Sequence, residues 1–143
     1  MRFMVITKAT ADTESGRSAG TEEIARMGAF IQEMVDAGVM LAAEGIHPST
    51  KGVRIYFDGE KKTVVDGPFA ETKELVGGFF LVETRTLEEC VEWFKRCPIQ
   101  PSSDGEPVNI EIRPVISLED LGDELTPELR EAVEQREQQA RFS

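Results

Sequence analysis

The chain has 143 residues, 40% of them hydrophobic and 30% charged, and a formal charge of −11. That length predicts one domain, large enough to bury a core without staples. A surface so negative repels phosphate backbones, which excludes nucleic acid as an expected partner, and no apolar run approaches the roughly 20 residues of a membrane span.

The N-terminal stretch Met1 to Lys8 holds four apolar residues in a row, Phe3 to Ile6. A signal peptide needs a longer apolar core, so the chain is expected in the cytoplasm. Phe3 to Thr7 reads as a strand that is apolar on both faces. Residues 9–20 are small and polar and read as a long loop. A helix is predicted from Thr21 as N-cap, with Glu22 and Glu23 at the positive end of its dipole. Ile24, Met27, Phe30, Ile31, Met34 and Val35 recur at helical spacing, and Gly38 stops the run. Val39 to Ala43 reads as a second strand.

Val53, Ile55 and Phe57 alternate with Arg54 and Tyr56, which places each set on its own strand face. Asp58-Gly59 is a hairpin signal, and Lys62 to Asp66 is the returning strand. Phe79 to Glu83 is a further strand, again apolar on both faces. Thr86 opens a second helix with a capping box to Glu89. Leu87, Cys90, Val91, Phe94 and Cys97 form its buried face, and Pro98 ends it. The two cysteines lie roughly 10 Å apart along that axis, too far to bridge, and read as buried small hydrophobes. With one histidine and no CxxC, no metal site is expected. Asn109 to Arg113 is the last strand of the domain. Thr126-Pro127 starts a C-terminal helix with proline at its tolerated first position. Residues 117–143 carry eight acids against three arginines.

The order is β-α-β, an inserted hairpin, then β-α-β. That predicts an α+β, ferredoxin-like sheet with two helices on one face and a C-terminal helix beyond it. Two helices cover only one face of the sheet, yet its strands are apolar on both. A second copy packed sheet to sheet is the simplest cover, so a homodimer is expected.

The densest stretch is Asp66-Gly67-Pro68-Phe69-Ala70-Glu71-Thr72-Lys73-Glu74, followed by Gly77-Gly78. Gly67-Pro68 is a turn dipeptide. The DGPFAETKE string, with the EIRPV strand from Glu111, resembles the YCII-related family in its DGPF branch, over about residues 1–115. Residues 116–143 are then an acidic helical extension. The resemblance implies a dimeric α/β barrel, and a histidine and an aspartate facing one cleft. It also implies membership of a group associated with sigma-factor-linked regulation.

The candidate catalytic residues are His47, the only histidine, as general acid/base, and Asp66 as its orienting partner. Each also has a structural reading: His47 as a hydrogen-bonded surface residue, Asp66 as the holder of turn amides. Glu71, Lys73 and Glu74 are candidates for a mixed-sign rim that binds a polar substrate. Arg113 is the candidate anchor for an anionic group, or else the ion-pair partner of Asp66 or Glu74. Arg54 and Tyr56 share a face and are expected to line the same cavity. Gly77-Gly78 precedes a strand and lacks dinucleotide-loop spacing, so no cofactor is expected. Two functions follow from these residues. One is a cofactor-free lyase or isomerase acting by proton transfer on a small polar molecule. The other is a non-enzymatic ligand-binding or regulatory accessory module.

Overall fold

Phe3 and Val5 are buried at the centre of the molecule, while Met4 and Ile6 between them stay half-buried on the opposite side of the same strand. The computed structural model describes residues 1–141, the side chains of Thr72 and Arg141 excepted. In chain order the elements are β1 (Arg2–Lys8), α1 (Ala11–Glu14), α2 (Thr21–Asp36), β2 (Met40–Gly45), β3 (Val53–Asp58), β4 (Lys61–Asp66), β5 (Val76–Glu83), α3 (Leu87–Phe94), β6 (Ile110–Pro114) and α4 (Pro127–Arg141). Short 3-10 segments lie at Ser49–Lys51, Thr72–Glu74 and Leu118–Glu124.

Four strands form one sheet in the order β2-β5-β1-β6, and β3 and β4 form a separate ribbon. Every neighbouring pair in the larger sheet is antiparallel. With α2 and α3 as the two crossovers, this is the ferredoxin-like arrangement that the element order predicts. Register fixes the faces. Phe3 opposes Val82 and Val5 opposes Phe80, so these four share the inner face. Phe30 and Met34 of α2 and Cys90 and Phe94 of α3 close over them. The rings of Phe30, Phe80 and Phe94 meet at centroid distances of 6.4, 5.6 and 5.2 Å. Such edge and tilted pairs each add about 0.5–1.5 kcal/mol beyond the area they bury.

The outer face carries Met4, Ile6, Phe79 and Leu81 in mutual register, all half-buried. No described helix is long and apolar enough to cross a membrane.

Several local expectations change. Residues 9–20 are not wholly loop: Thr10 caps the short α1 through a capping box with Thr13. Gly20, not Thr21, is the N-cap of α2. α3 stops at Phe94, so Cys97 lies past the helix, and its amide donates to the Phe94 carbonyl at 3.1 Å. Ile24, Val35 and Leu87 are exposed rather than core. Periodicity finds the apolar stripe of a helix but not how much of it the sheet reaches. α4 forms where expected, capped by the Thr126 hydroxyl, which accepts from the Leu129 amide at 3.2 Å. The last two residues of the predicted extension lie outside the described residues.

Candidate functional site

The turn after Asp66 is fastened to the connector between β2 and β3. The Gly67 amide donates to the Gly52 carbonyl at 2.9 Å, and the Phe69 amide donates to Ser49 Oγ at 3.1 Å. A Cβ on Gly67 would stand 1.7 Å from the Ser49 carbonyl oxygen, so only glycine fits there. The Gly67-Pro68 bond is cis. Ser49 is itself gripped by Glu14 of α1. Its amide donates to Glu14 Oε1 at 2.9 Å and its hydroxyl to Oε2 at 2.6 Å. The Arg54 guanidinium lies 4.0 Å over the Phe69 ring. Asp66 is exposed, and among the described residues its carboxylate makes no hydrogen bond to the turn. The turn-holding role read for Asp66 therefore belongs to Ser49, a serine 17 positions earlier that carries no motif signal.

A cleft of about 600 Å³ opens between the inner sheet face and the N-terminal half of α2. That volume suits a drug-sized molecule. Ile24, Met27 and Ile31 of α2, Phe80 of β5 and Ile99 give it apolar walls. Thr10, Asp12, Thr13 and Arg17 supply a polar rim. Gly28 of α2 lines it too, and a Cβ placed there would meet nothing within 4 Å. Glycine inside a helix costs roughly 0.5–1 kcal/mol against alanine, so here helix stability is given up for space. Ile24 is exposed because it borders this opening.

The rim is pinned by ionic contacts. Asp12 accepts from the Ser103 hydroxyl at 2.5 Å and from the Ser103 amide at 3.0 Å. Those two bonds, the hydroxyl's first, hold its carboxyl below the ordinary value. Arg17 reaches Glu23 at 3.1 Å and Asp12 at 4.0 Å. At the other end, Gly77 and Gly78 let β5 press against its neighbours. A Cβ on Gly78 would stand 2.9 Å from the Glu44 carbonyl oxygen, and one on Gly77 would stand 3.1 Å from that of Lys8.

A second cleft of about 660 Å³ lies beyond Lys8. Here the structure does gather predicted residues, because Glu71, Lys73 and Glu74 line it together with Asp104 and Glu106. Glu71 adopts a positive φ of 63°. Lys73 pairs with Glu106 at 2.8 Å, and that hydrogen bond raises the lysine above its usual value. The pair is exposed, so it adds little stability.

The other predicted residues are not gathered there. His47 is exposed in the connector after β2, two positions beyond Gly45, which lines the first cleft. Neither His47 nor Asp66 lines either cleft. Tyr56 stands exposed on the ribbon. Arg113 lies on the outer sheet face opposite Met4. Its ion pair is with Glu111 of its own strand at 3.8 Å, not with Asp66 or Glu74. Glu111 also binds Lys8 at 3.0 Å, and that bond lowers its carboxyl. Among the described residues, no group of three or more His, Cys, Asp or Glu side chains is placed to hold a metal ion. Sequence reasoning passed over Asp12, Glu14, Gly28, Ser49 and Ser103. Of these, only Gly28 left a mark, as a glycine inside a helical pattern.

Comparison with known proteins gives three findings. The profile of the YCII-related domain matches residues 1–116. An uncharacterised protein of Rhizobium meliloti (strain 1021) is 29% identical over 89 residues, which is 62% of this chain and 69% of that protein. A solved structure of 5-chloro-2-hydroxyhydroquinone dehydrochlorinase (TftG) from Burkholderia phenoliruptrix AC1100, in complex with 2,5-dihydroxybenzoquinone, covers 81% of this chain and 94% of its own at 12% identity. The TM-score of that pair is 0.45.

Proposed function

The chain belongs to the YCII-related family, and on that premise we propose that it binds a small ring-sized molecule in the first cleft and acts on it by proton transfer, as a lyase or isomerase, without a metal or organic cofactor. The observation that carries this reading is the cleft itself: about 600 Å³, apolar along α2 and β5, polar at one rim. Asp12 and Glu23 on that rim already engage its arginine. The rim therefore favours an uncharged or cationic ligand over an anion. His47, just beyond the cleft-lining Gly45, is the proposed acid/base and Asp66 its partner. Lys73, which lines the second cleft, is the proposed contact for polar groups that reach past the rim, whereas Arg113, on the outer sheet face, lies across the sheet from this cleft. A second copy against the outer sheet face completes the reading.

Proton transfer by a placed side chain contributes roughly 10²–10⁴-fold. A panel of neutral ring compounds, screened by thermal shift, identifies a ligand. Solvent deuterium incorporation into that ligand, followed by NMR, then reads the chemistry. His47→Ala should slow incorporation by about 10²-fold or more, and Asp66→Asn less. Unchanged incorporation in both variants ends the catalytic reading. The exposure of His47 and Asp66 outside the cleft favours a second reading, binding without chemistry as a ligand-responsive accessory module. In that case a ligand binds and no variant changes its isotopic content.

A further inference from the structure

We propose that the β3–β4 ribbon is an arm that grips the acidic C-terminal segment of a second copy of this chain. Directly opposed residues of an antiparallel pair share a face. Val53, Ile55 and Phe57 therefore lie with Asp66, Val64 and Lys62 on one side of the ribbon, Asp66 at its base and Lys62 near its tip. Every residue of both strands is exposed, Phe57 at 71% and Val64 at 62%. A lone two-stranded ribbon is marginal in water, and an apolar face of this kind marks a contact. Lys62 sits on this face beside Phe57 near the tip and makes no ion pair among the described residues, whereas Lys61 opposes Asp58 on the other face.

The complementary surface is at the far end of the chain. Ile116 is 69% exposed, and Leu121 and Leu129 are about half exposed. Around them run Glu119, Asp120, Asp123 and Glu124. Within one chain the two surfaces leave the sheet at opposite ends. The ribbon follows Gly45, which pairs with Gly78 near the end of β1. The C-terminal segment follows Pro114, which pairs with Phe3 at its start. On β1 these points, Thr7 and Phe3, are separated by roughly 13 Å at 3.3 Å per residue. A two-fold axis lying between facing sheets and across their strands reverses strand direction. It sets each ribbon over its partner's C-terminal segment, so the contact occurs twice. The inference rests on the sheet-to-sheet pairing proposed above and adds the residues that close it.

Sedimentation of the full chain tests it. The wild type should be a dimer. Lys62→Glu and, separately, Asp123→Lys/Glu124→Lys should each weaken dimerisation at least tenfold. Mixing the two variants should restore it, because opposite charges then face each other at both contacts of the heterodimer. Circular dichroism confirms that each variant folds. A dimer unmoved by both variants, or no recovery on mixing, overturns the arm. If Leu81→Asp on the outer sheet face still breaks that unmoved dimer, only the arm is lost. A monomeric wild type removes the sheet pairing as well.

Discussion

Glu14 accepts both the amide and the hydroxyl of Ser49, at 2.9 and 2.6 Å, across 35 residues of sequence. One carboxylate thereby joins α1 to the connector between β2 and β3. Ser49 passes the contact on to the Phe69 amide. Hydrogen bonds to a charged group contribute about 1.5–3 kcal/mol each. Ser49→Ala removes the hydroxyl from both partners, and a loss of about 1–3 kcal/mol is expected. Urea unfolding should show a lower midpoint with an unchanged slope.

Gly67 and Gly45 make a paired test of backbone approach. Gly67→Ala drives a methyl into the Ser49 carbonyl, and a destabilisation of about 2 kcal/mol or more is expected. Gly45 has open space around its missing Cβ and ordinary φ. Gly45→Ala should leave the thermal midpoint nearly unchanged. Equal losses in both variants would show that the contact with Ser49 is not what demands glycine.

Gly28→Ala should stabilise the protein by about 0.5–1 kcal/mol, because it removes the cost of glycine inside α2. The same methyl enters the first cleft. Ligand affinity should fall as the thermal midpoint rises, and calorimetric titration alongside thermal melting reads both. A midpoint rise with undiminished affinity would place the ligand elsewhere.

Asp12 gives a signed pH dependence. Ser103 holds its carboxyl below the ordinary value of 3.8, so the folded state gains stability above that pH. The gain is lost as pH falls through the depressed folded value. Ser103→Ala removes the hydroxyl's share. The stability gap between wild type and variant should therefore be constant above about pH 5 and close in more acid solution. Thermal melts between about pH 2 and 6 measure it, and a gap independent of pH would remove Asp12 from the rim's electrostatics.

Cys90 is buried on the inner side of α3, and desolvation pushes its thiol up to about 11, as it does for Cys97. Thiolate is the reactive form. Neither residue should react with a thiol reagent at neutral pH in the native protein, and both should react in denaturant. Rapid native labelling of either would contradict its placement.

The sheet was legible because its strands announce themselves. Phe3 to Ile6 and Phe79 to Val82 are apolar runs with turns on either side, and two capped helices lie between the strands they must connect. The ribbon was equally plain from Asp58-Gly59. The first cleft was not. Its walls come from α2, β5 and the chain after α3, brought together only by packing. Its rim depends on Asp12 meeting Ser103, 91 residues away. Serine and aspartate in polar loops carry no periodic signal. The DGPF string drew attention to Asp66, but the contacts that hold the turn come from Ser49 and Glu14.

The ribbon and the larger sheet share no strand. In the single chain this divides the molecule into two hydrogen-bonded networks, and the bond from the Gly67 amide to Gly52 only lengthens the ribbon. Fraying of the ribbon breaks no bond in the core sheet, whereas loss of β1 parts both β5 and β6 at once. Amide exchange should accordingly sort the backbone into two tiers, with the β1 amides slowest and the ribbon amides opening early and independently.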